Sequence, residues 1–428
     1  MERRDVLSAL GALSCLGAAA CRGRGREDAR NERTKRLVVK YQPLGESPAL
    51  RDLLRGFEAL HPGVDVVTEA LPSSSDLTHQ FFLTSLEGGS CDFDLFVVDT
   101  VWVAEFARAG WLADLSEAFP PDTVRRDFLA GPADAVIVGD KTCALPWYGD
   151  VGILFYRTDL VERAPRTYAE LLDFAGKVRR DRAGMEGFVW QGRQYEGLVC
   201  NVYESIWGHG GATMQGSRTL LATSEARAAL SYMRSLIESG VSPKSVASAT
   251  EEEARRLFQS GRSVFMRNWP YAWAEAQRNG SPVRGKVGIA SLPTLTGDPG
   301  HGALGGYEIA VHPRVPPEKR VLAFALAAHL TSLEANLVLA LHYGRSPVRH
   351  AAYDDARLVR DAPLLAKLLP MLDGARSRPK TPYYAMISDT LESEFSAAIT
   401  GIRTPERALD RAQALVDHIA NPSDEGIR

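Results

Sequence analysis

The sequence is short of the features that mark metal-binding, nucleic-acid-binding and membrane-spanning proteins. It has five cysteines among 428 residues, and no Cys-x-x-Cys or His-x-x-x-His spacing supports a metal site. The net charge of −3 and the isoelectric point near 6.3 argue against nucleic acid as a partner. Beyond the N-terminal segment no apolar run reaches the roughly 18 residues of a membrane-spanning helix.

Catalytic and nucleotide-binding motifs are also absent. No Gly-x-Ser-x-Gly, P-loop or dinucleotide fingerprint occurs. The glycine-rich stretch 297–306 has neither Lys nor Ser or Thr at phosphate-cradling positions, so it is interpreted as a hinge or binding loop. Beyond Cys15 and Cys21 three thiols remain, either as small buried side chains or with one disulfide, Cys91–Cys143 being conceivable.

The N-terminus has the pattern of an export signal. An arginine pair at 3–4, which resembles a twin-arginine signal, precedes the weakly apolar stretch 6–20. Three alanines then lead into Cys21 as in a lipobox, although Ala-x-Ala also suits ordinary signal peptidase. We predict a signal peptide over 1–20 and lipidation of Cys21, which would anchor the exported protein to the membrane; a buried Ala-rich first helix is the alternative. The charged stretch 21–36 predicts a flexible tether, either solvated or lying on anionic headgroups.

From residue 37 onward, short apolar runs alternate with amphipathic stretches, which is the pattern of an open α/β sheet. The second half is richer in helix, and no internal repeat occurs. We predict two α/β lobes, with the chain crossing between them near 145–150, 293–305 and 344–348. The predicted strands are 37–41, 64–69, 93–98, 151–156, 264–265, 287–290 and 307–311. The predicted helices are 47–60, 75–87, 100–109, 167–179, 196–208, 223–238, 251–259, 319–331, 333–343, 363–372, 383–400 and 405–419.

Acidic side chains lie near the strand ends, where open α/β sheets bind ligands. Asp99 directly follows the strand 93–98, Asp150 precedes the next strand, and Glu46 ends the first strand-to-helix loop. A helix N-cap is the alternative role for Asp99. Aromatic side chains gather in loops and helix starts, and they suit a sugar because its C–H faces stack on rings while its hydroxyls meet polar groups. These aromatics are Trp147, Tyr148, Trp269, Tyr271, Trp273, Tyr307, Tyr383 and Tyr384.

Other roles for these residues stay open from the residues alone. Asp99 and Asp150 could be the paired carboxylates of a carbohydrate hydrolase. Tyr383 and Tyr384 could bind ferric iron, although no His or carboxylate cluster near them supports that reading. Trp273, one helical turn after Trp269, is predicted to pack in the core.

Several motifs together resemble the trehalose/maltose-binding branch of the extracellular solute-binding protein family. The likeness runs in order from about residue 37 to the end of the chain. The motifs are GFVWQG at 187–192, QYEGLVC at 194–200, RNWPYAW at 267–273, SPVRGKVG at 281–288, LGG at 304–306, RP at 378–379 and PYY at 382–384.

This resemblance implies an α/β, two-lobed, periplasmic-binding-protein-like fold of type II, with central mixed sheets flanked by helices and a ligand cleft between the lobes. With the crossings above, 37–145 and about 300–345 form the N-terminal lobe, and 146–299 and about 346–428 the C-terminal lobe. The expected function is capture of an α-linked disaccharide, such as trehalose or maltose, for an ABC importer. A monomer is expected that binds the permease subunits, with no catalysis, cofactor or metal.

The family pattern also implies the roles of individual residues. Carboxylates would accept hydrogen bonds from sugar hydroxyls, and Arg378 would donate. Trp269 and Tyr307 would supply stacking faces, and Gly305 and Gly306 would let the backbone approach the sugar closely. The full set of implied ligand-binding positions is Glu46, Asp99, Tyr148, Asp150, Trp269, Tyr271, Gly305, Gly306, Tyr307 and Arg378.

Two departures from the family pattern bear on which sugar is bound. The family often has Trp where Tyr307 stands, so the platform is smaller here and has its own hydroxyl. The family's Arg in the second strand-to-helix segment falls near Thr78 and His79 in this sequence. Another oligosaccharide or a polyol-type solute is therefore the alternative ligand.

Overall fold

The computed structural model describes residues 35–44, 47–72, 74–216 and 218–420. The predicted signal peptide 1–20, the lipidation site Cys21 and the predicted binding residue Glu46 lie outside these ranges. The predictions made on them therefore stay predictions.

Strands and helices alternate through the first half of the chain, and helices dominate the last hundred residues. The strands are β1 (Lys35–Tyr41), β2 (Val64–Ala70), β3 (Leu95–Asp99), β4 (Ile137–Val138), β5 (Lys141–Thr142), β6 (Leu145–Val151), β7 (Ile153–Arg157), β8 (Glu186–Val189), β9 (Met214–Gln215), β10 (Arg218–Thr219), β11 (Ser263–Asn268), β12 (Val287–Ala290) and β13 (Leu304–Val311). The α-helices are Ala49–Leu60, Ser75–Glu87, Val103–Arg108, Pro121–Asp127, Ala130–Val136, Tyr168–Asp181, Glu196–Gly208, Ser224–Glu238, Glu251–Gln259, Tyr271–Ala276, Pro317–Leu330, Leu333–Tyr343, His350–Tyr353, Ala356–Asp361, Pro363–Ala366, Leu369–Asp373, Tyr384–Ile399 and Pro405–Ala420.

The first lobe is built on a five-stranded sheet with the order β2-β1-β3-β13-β6. Strand β1 is parallel to β2 and β3, whereas β13 is antiparallel to β3 and β6. Strand β3 has the sequence LFVVD, and its four apolar residues are buried, as expected for a strand covered on both faces. The chain thus returns to this sheet after it has built the second lobe.

The second lobe contains a four-stranded sheet with the order β12-β7-β11-β8. Strand β7 is antiparallel to β11 and β12, and β8 is parallel to β11. The helix Glu196–Gly208 is buried along all but its first residue and packs against Ser224–Glu238 and Tyr384–Ile399. Its buried polar residues Asn201 and Glu204 have hydrogen-bond partners, as burial requires. Both sheets are mixed and flanked by helices, so the predicted two-lobed α/β fold is confirmed.

Several predicted elements differ in the structure; the predicted helix 100–109, for example, spans only Val103–Arg108. The segment 144–150, expected as a connection, is the strand β6; Pro146 obscured it but is tolerated because β6 is the last strand of its sheet. The predicted helix 363–372 is two short helices. Residues 35 and 36, assigned to the tether, begin β1 because they pair with β2.

The crossings between the sheets are short. Strand β6 belongs to the first sheet and β7 to the second, and only Gly152 separates them. In a second crossing, Gly149 donates its N–H to the carbonyl of Ser346 at 2.9 Å. The lobe boundaries given above stay a prediction. Strand β6, most of which was assigned to the C-terminal lobe, belongs to the first sheet.

Cys143 and Cys200 are buried free thiols, so the conceivable Cys91–Cys143 bridge is not formed. Within the described ranges, no single helix is long and apolar enough to cross a membrane. The helices Pro317–Leu330 and Leu333–Tyr343 reach that length and composition only as a pair, which is bent by 52°.

Candidate functional site

The first sheet brings predicted binding residues from three strands to one edge. Tyr307 on β13 lies opposite Asp99 on β3 and Tyr148 on β6, and Gly305 lies opposite Asp150. The rings of Tyr148 and Tyr307 are 5.5 Å apart between centroids. Residues up to 208 positions apart in the sequence are neighbours here because β13 is inserted between β3 and β6.

The second lobe contributes an aromatic face directly across from this edge. Trp269 follows β11, and Tyr271 begins the next helix. A Cβ atom added to Gly305 would stand 3.3 Å from the ring of Trp269 and 3.4 Å from the Cβ of Asp150. The tryptophan ring therefore lies against the glycine backbone, and the two lobes meet at this point.

Gly306 has a backbone conformation that an L side chain rarely adopts, with φ at 144°. A Cβ there would lie 2.6 Å from the carbonyl oxygen of Tyr148. The Gly306 carbonyl accepts hydrogen bonds from both the N–H and the hydroxyl of Thr100, each at 3.1 Å. Glycine is needed here to let β13 and β6 approach, whatever the ligand.

Arg378 joins the two lobes through a buried ionic network. Its Nη1 donates to Oε1 of Glu196 at 2.5 Å, its Nη2 donates to the Leu304 carbonyl at 3.2 Å, and Nη2 lies 3.7 Å from Asp99. Tyr384 also donates to Glu196, at 2.7 Å. The sequence analysis missed Glu196, because an acid in the first turn of a helix is commonplace.

Asp99 is held by the network, and its alternative role as a helix N-cap is wrong. The following helix begins only at Val103, and the Asp99 carboxylate accepts the N–H of Val101 at 3.2 Å. Burial raises the pKa of Asp99, while the positive charge of Arg378 and the bond from Val101 oppose that rise. A carboxylate in this position gains from any further donor that enters the cleft.

Asp150 is 7% exposed, and its Oδ1 has no hydrogen-bond partner among the described residues. Its Oδ2 lies 4.0 Å from Nη1 of Arg345. Burial raises the pKa of Asp150 to about 6; Arg345 opposes the rise and the negative charge of Asp99 adds to it. An acceptor buried without a donor is costly to folding, which marks this oxygen as a place for a ligand.

Arg345 was not predicted as a site residue. Its guanidinium carbon lies 5.0 Å from the centre of the Tyr148 ring and 5.2 Å from that of Tyr271. The two rings come from different lobes, so the cation is placed between them. An arginine at the end of a helix gave no sign of this position in the sequence.

Acidic residues of the helix Glu251–Gln259 hold the aromatic face in place. Oε1 of Glu251 accepts the indole N–H of Trp269 at 3.3 Å, and its Oε2 accepts the Tyr195 hydroxyl at 2.8 Å. The Tyr271 hydroxyl donates to Glu252 at 2.9 Å. The sequence analysis missed these acids, because acidic residues in the first turn of a helix are favoured without any ligand.

A buried ion pair supports Trp269 from behind. Arg267 Nε donates to Glu204 Oε2 at 2.8 Å and Nη2 donates to Oε1 at 2.5 Å, with both side chains almost fully buried. The guanidinium carbon of Arg267 lies 4.0 Å from the centre of the Trp269 ring. Glu204 also accepts the N–H of Ala303, in the crossing before β13, at 2.9 Å. The stacking face is thus tied to a segment that joins the lobes.

This geometry can be compared with known proteins. The model of the bacterial extracellular solute-binding protein family matches residues 42–336. The chain belongs to this family. A probable ABC transporter-binding protein of Deinococcus radiodurans is 32% identical over 378 residues, 83% of this chain and 89% of that protein.

Two other similar proteins have a named ligand. The structure of maltose-bound MalE3 of T. maritima is similar with a TM-score of 0.84 and 35% identity, over 90% of this chain and 99% of that chain. A mannitol-binding protein of Pseudomonas aeruginosa is 25% identical, over 85% of this chain and 88% of that protein.

Within this extracellular solute-binding protein, Thr78 and His79, near which the family's Arg falls, have partners of their own. Thr78 is fully buried, and its hydroxyl donates to the Pro72 carbonyl at 3.0 Å. His79 Nε2 lies 2.9 Å from the Glu105 carboxylate. Both side chains are occupied by partners in their own lobe.

The paired tyrosines have separate partners. Tyr384 donates to Glu196, whereas the ring of Tyr383 lies 4.9 Å from the guanidinium carbon of Arg108. The described residues contain no group of three or more His, Cys, Asp or Glu that could hold a metal ion.

Among the other aromatics, Trp147 is buried in the first core, which corrects its placement in a loop, and Trp273 packs against the second core as predicted.

Proposed function

We propose that this solute-binding protein captures an α-linked disaccharide, such as trehalose or maltose, and delivers it to the permease of an ABC importer. The observation that carries the proposal is Asp150, whose buried Oδ1 has no donor among the described residues and whose Cβ lies with the Trp269 ring around Gly305. A sugar offers hydroxyl donors to the Asp150 carboxylate and an apolar face to the Trp269 ring. The maltose-bound neighbour supports this class of ligand, and the transporter-binding relative supports delivery to an ABC transporter.

The mechanism is closure of two lobes on a bridging ligand. Asp99, Tyr307 and Asp150 come from the first sheet, while Trp269 and Tyr271 belong to the second lobe. A sugar that contacts both sets binds the closed arrangement more tightly than the open one, and only this difference in affinity can shift the equilibrium. The closed form then docks on the membrane permease.

Calorimetry of the protein without residues 1–20 tests the proposal. Trehalose, maltose, sucrose and monosaccharides are titrated separately, and at least one α-linked disaccharide is expected to bind with a dissociation constant near ~1 μM, or about −8 kcal/mol. Absence of heat with every α-glucoside would reject the disaccharide as ligand. Binding of mannitol instead would favour the polyol alternative, which the mannitol-binding relative supports.

The rival function is hydrolysis by Asp99 and Asp150. Arg378 lies near Asp99 and Arg345 near Asp150, so each carboxylate has a cation at hand that favours its charged form. Burial nevertheless raises the pKa of both carboxyls, which is what a general acid requires, so these charges do not separate hydrolysis from binding and the assay must do so. Prolonged incubation with maltose is expected to release no glucose. If glucose is released, and more slowly by Asp99→Asn than by the wild-type protein, the protein is a hydrolase and the binding proposal is wrong.

We further propose that the protein works outside the cytoplasm, exported by residues 1–20 and anchored by a lipid on Cys21. The family description as extracellular supports export. Mass spectrometry of the membrane fraction should find a mature chain that begins with a diacylated Cys21. Cys21→Ser should move the protein to the soluble exported fraction; a chain that starts elsewhere and lacks lipid would reject the anchor.

A further inference from the structure

Arg345 lies in the crossing segment that follows the helix Leu333–Tyr343, and its backbone is held from both lobes. Gly344 ends the helix with φ at 66°. A Cβ on Gly344 would stand 2.8 Å from the Cβ of Ala274, so this backbone packs tightly on the second lobe. On the other side, the Ser346 carbonyl accepts the N–H of Gly149 in β6. The backbone that carries the Arg345 side chain is therefore held by contacts with both lobes.

The side chain of Arg345 is only 16% exposed. Its Nε is buried and has no hydrogen-bond partner among the described residues. The nearest carboxylate, Asp150, is 4.0 Å away, which is longer than a hydrogen bond. Tyr148 and Tyr271 flank the guanidinium with their rings, and ring faces accept no strong hydrogen bond from Nε.

Two unsatisfied groups of opposite kind therefore lie together. Asp150 offers an acceptor without a donor, and Arg345 offers a donor without an acceptor. A hydroxyl group can donate one hydrogen bond and accept others at the same time. Adjacent hydroxyls of a sugar ring match this pair, since one donates to the carboxylate while its neighbour accepts from the planar guanidinium.

We propose that Arg345 is a ligand-contacting, specificity-determining residue that binds, together with Asp150, one pair of adjacent sugar hydroxyls. This inference rests on the proposed capture of a sugar and names the residue that reads one part of it. Because the flanking rings of Tyr148 and Tyr271 come from different lobes, the contact also favours the closed state. A ligand that lacks one of these hydroxyls leaves a buried polar group unpaired and is discriminated against.

The test compares Arg345→Met with a matched control on the same segment. Arg349 also places its guanidinium over an aromatic ring, 4.2 Å from Phe128, and it lies 3.6 Å from Asp127. Among the described residues, none of its hydrogen-bond, ion-pair or ring partners is a predicted binding residue. By calorimetry, Arg345→Met should raise the dissociation constant for the disaccharide by about 10- to 100-fold. Arg349→Met should leave it within about twofold, and far-UV circular dichroism verifies that both variants fold.

Deoxy analogues of the sugar separate hydrogen bonding from packing. In the wild-type protein, removal of one particular hydroxyl should weaken binding strongly, and the same removal should cost little in Arg345→Met. Arg345→Lys retains the charge but not the planar fork, so an intermediate affinity is expected. If Arg345→Met does not fold, Arg345→Lys takes its place in the comparison with the deoxy analogues.

Two different failures can be told apart. If the wild-type protein binds none of the sugars, the proposed function fails and this inference fails with it. If the wild-type binds but Arg345→Met binds equally well, or every deoxy penalty persists in the variant, the function stands and only the role of Arg345 is rejected.

Discussion

Asp150 shows, at the scale of a residue, how a binding site costs stability. The folded protein raises the pKa of this carboxyl to about 6 by burying it, and one of its oxygens has no donor among the described residues. Above pH 6 the carboxylate is charged in a place that solvates it poorly. Such a conflict is expected where a ligand later supplies the missing hydrogen bonds.

Replacing Asp150 with Asn should make the ligand-free protein more stable at pH 7. Since the folded-state pKa lies above the unfolded value of 3.8, the ionised group destabilises the fold above pH 6, and this penalty shrinks as the pH falls towards 4. The gain at pH 7 is at most about 3 kcal/mol, because each pKa unit is worth about 1.4 kcal/mol. Urea unfolding at pH 7 and pH 4.5 measures it; a less stable variant at pH 7 would contradict the assignment.

Sugar affinity should depend on pH through the same residue. Hydroxyl donors bind the charged carboxylate more strongly, so the ligand lowers the pKa of Asp150 and expels its proton. Affinity is therefore expected to be flat above pH 6 and to fall by up to about tenfold per unit below it. Calorimetry from pH 5 to 8 tests this. In Asp150→Asn this dependence should be lost, whereas Asp94→Asn, at a buried acid already bonded to the Val38 N–H, should keep it.

At the scale of an element, the junction of β6 and β7 shows how one buried ion pair contacts the segments that join the two lobes. Gly152 lies between the strands, directly against the buried pair of Glu204 and Arg267. Glu204 also holds Ala303, which precedes β13. One carboxylate from a central helix of the second lobe thus contacts two of the crossings and, through Arg267, supports the Trp269 ring.

Gly152→Ala should damage both stability and binding. The new Cβ would fall 1.8 Å from Glu204 Oε1 and 2.5 Å from Arg267 Nη2, so the pair must separate or the strands must shift. Disturbing a buried pair in this way costs about 3–5 kcal/mol, and Trp269 loses its support. Thermal and urea unfolding with calorimetry measure both effects.

A matched glycine serves as the control for that variant. Gly56 lies inside the helix Ala49–Leu60, and an added Cβ would meet nothing within 4 Å. Gly56→Ala should stabilise the protein by up to about 1 kcal/mol and leave affinity unchanged. Equal behaviour of the two variants would show that the pair tolerates the extra methyl group.

At the scale of the whole molecule, the lobes meet through contacts that a ligand can strengthen. Trp269 lies against Gly305, Arg378 joins Glu196 to the region of Asp99, and Arg345 lies between rings of both lobes. Few of these contacts are apolar, and interfaces between domains of one chain usually allow relative motion. The closed arrangement is therefore one that the sugar is expected to stabilise.

Small-angle scattering should detect this closure. With saturating disaccharide, the radius of gyration should approach the ~21 Å of a compact chain of about 390 residues, and without sugar it should be larger. Ligand at 100 times its dissociation constant should also stabilise the native state by about 2.7 kcal/mol, seen as a higher melting temperature. An unchanged radius together with a raised melting temperature would mean that binding occurs without closure.

The helices and the buried strands could largely be predicted from the sequence. The predicted helices 75–87, 196–208, 251–259 and 333–343 and the strand 287–290 have the observed bounds. Local periodicity and helix caps carry that information, since they depend on residues a few positions apart. Strand β6 was missed because its Pro and Gly suggest a loop, and only its pairing with β13 makes it a strand.

The site was predictable to a different extent for different residues. Strand ends and the family resemblance pointed to Asp99, Asp150 and Trp269, which the structure brings near one another around β13. Nothing local distinguished Arg345 or Glu196 from ordinary helix-end charges. Their roles depend on partners far away in the chain, such as Glu196 with Arg378, 182 positions apart.

The alternation of strands and helices, the family and the kinds of side chain that could meet a sugar can all be predicted from the amino-acid order. Each of these follows from local periodicity or from motifs read in order. Which charges meet depends instead on the folded chain: Arg378 is engaged by Glu196, Asp150 keeps an unsatisfied oxygen, and Arg345 lies beside it. These contacts could not be predicted, because pairing and burial depend on the return of β13 and the late crossings to the first sheet, which no local pattern encodes.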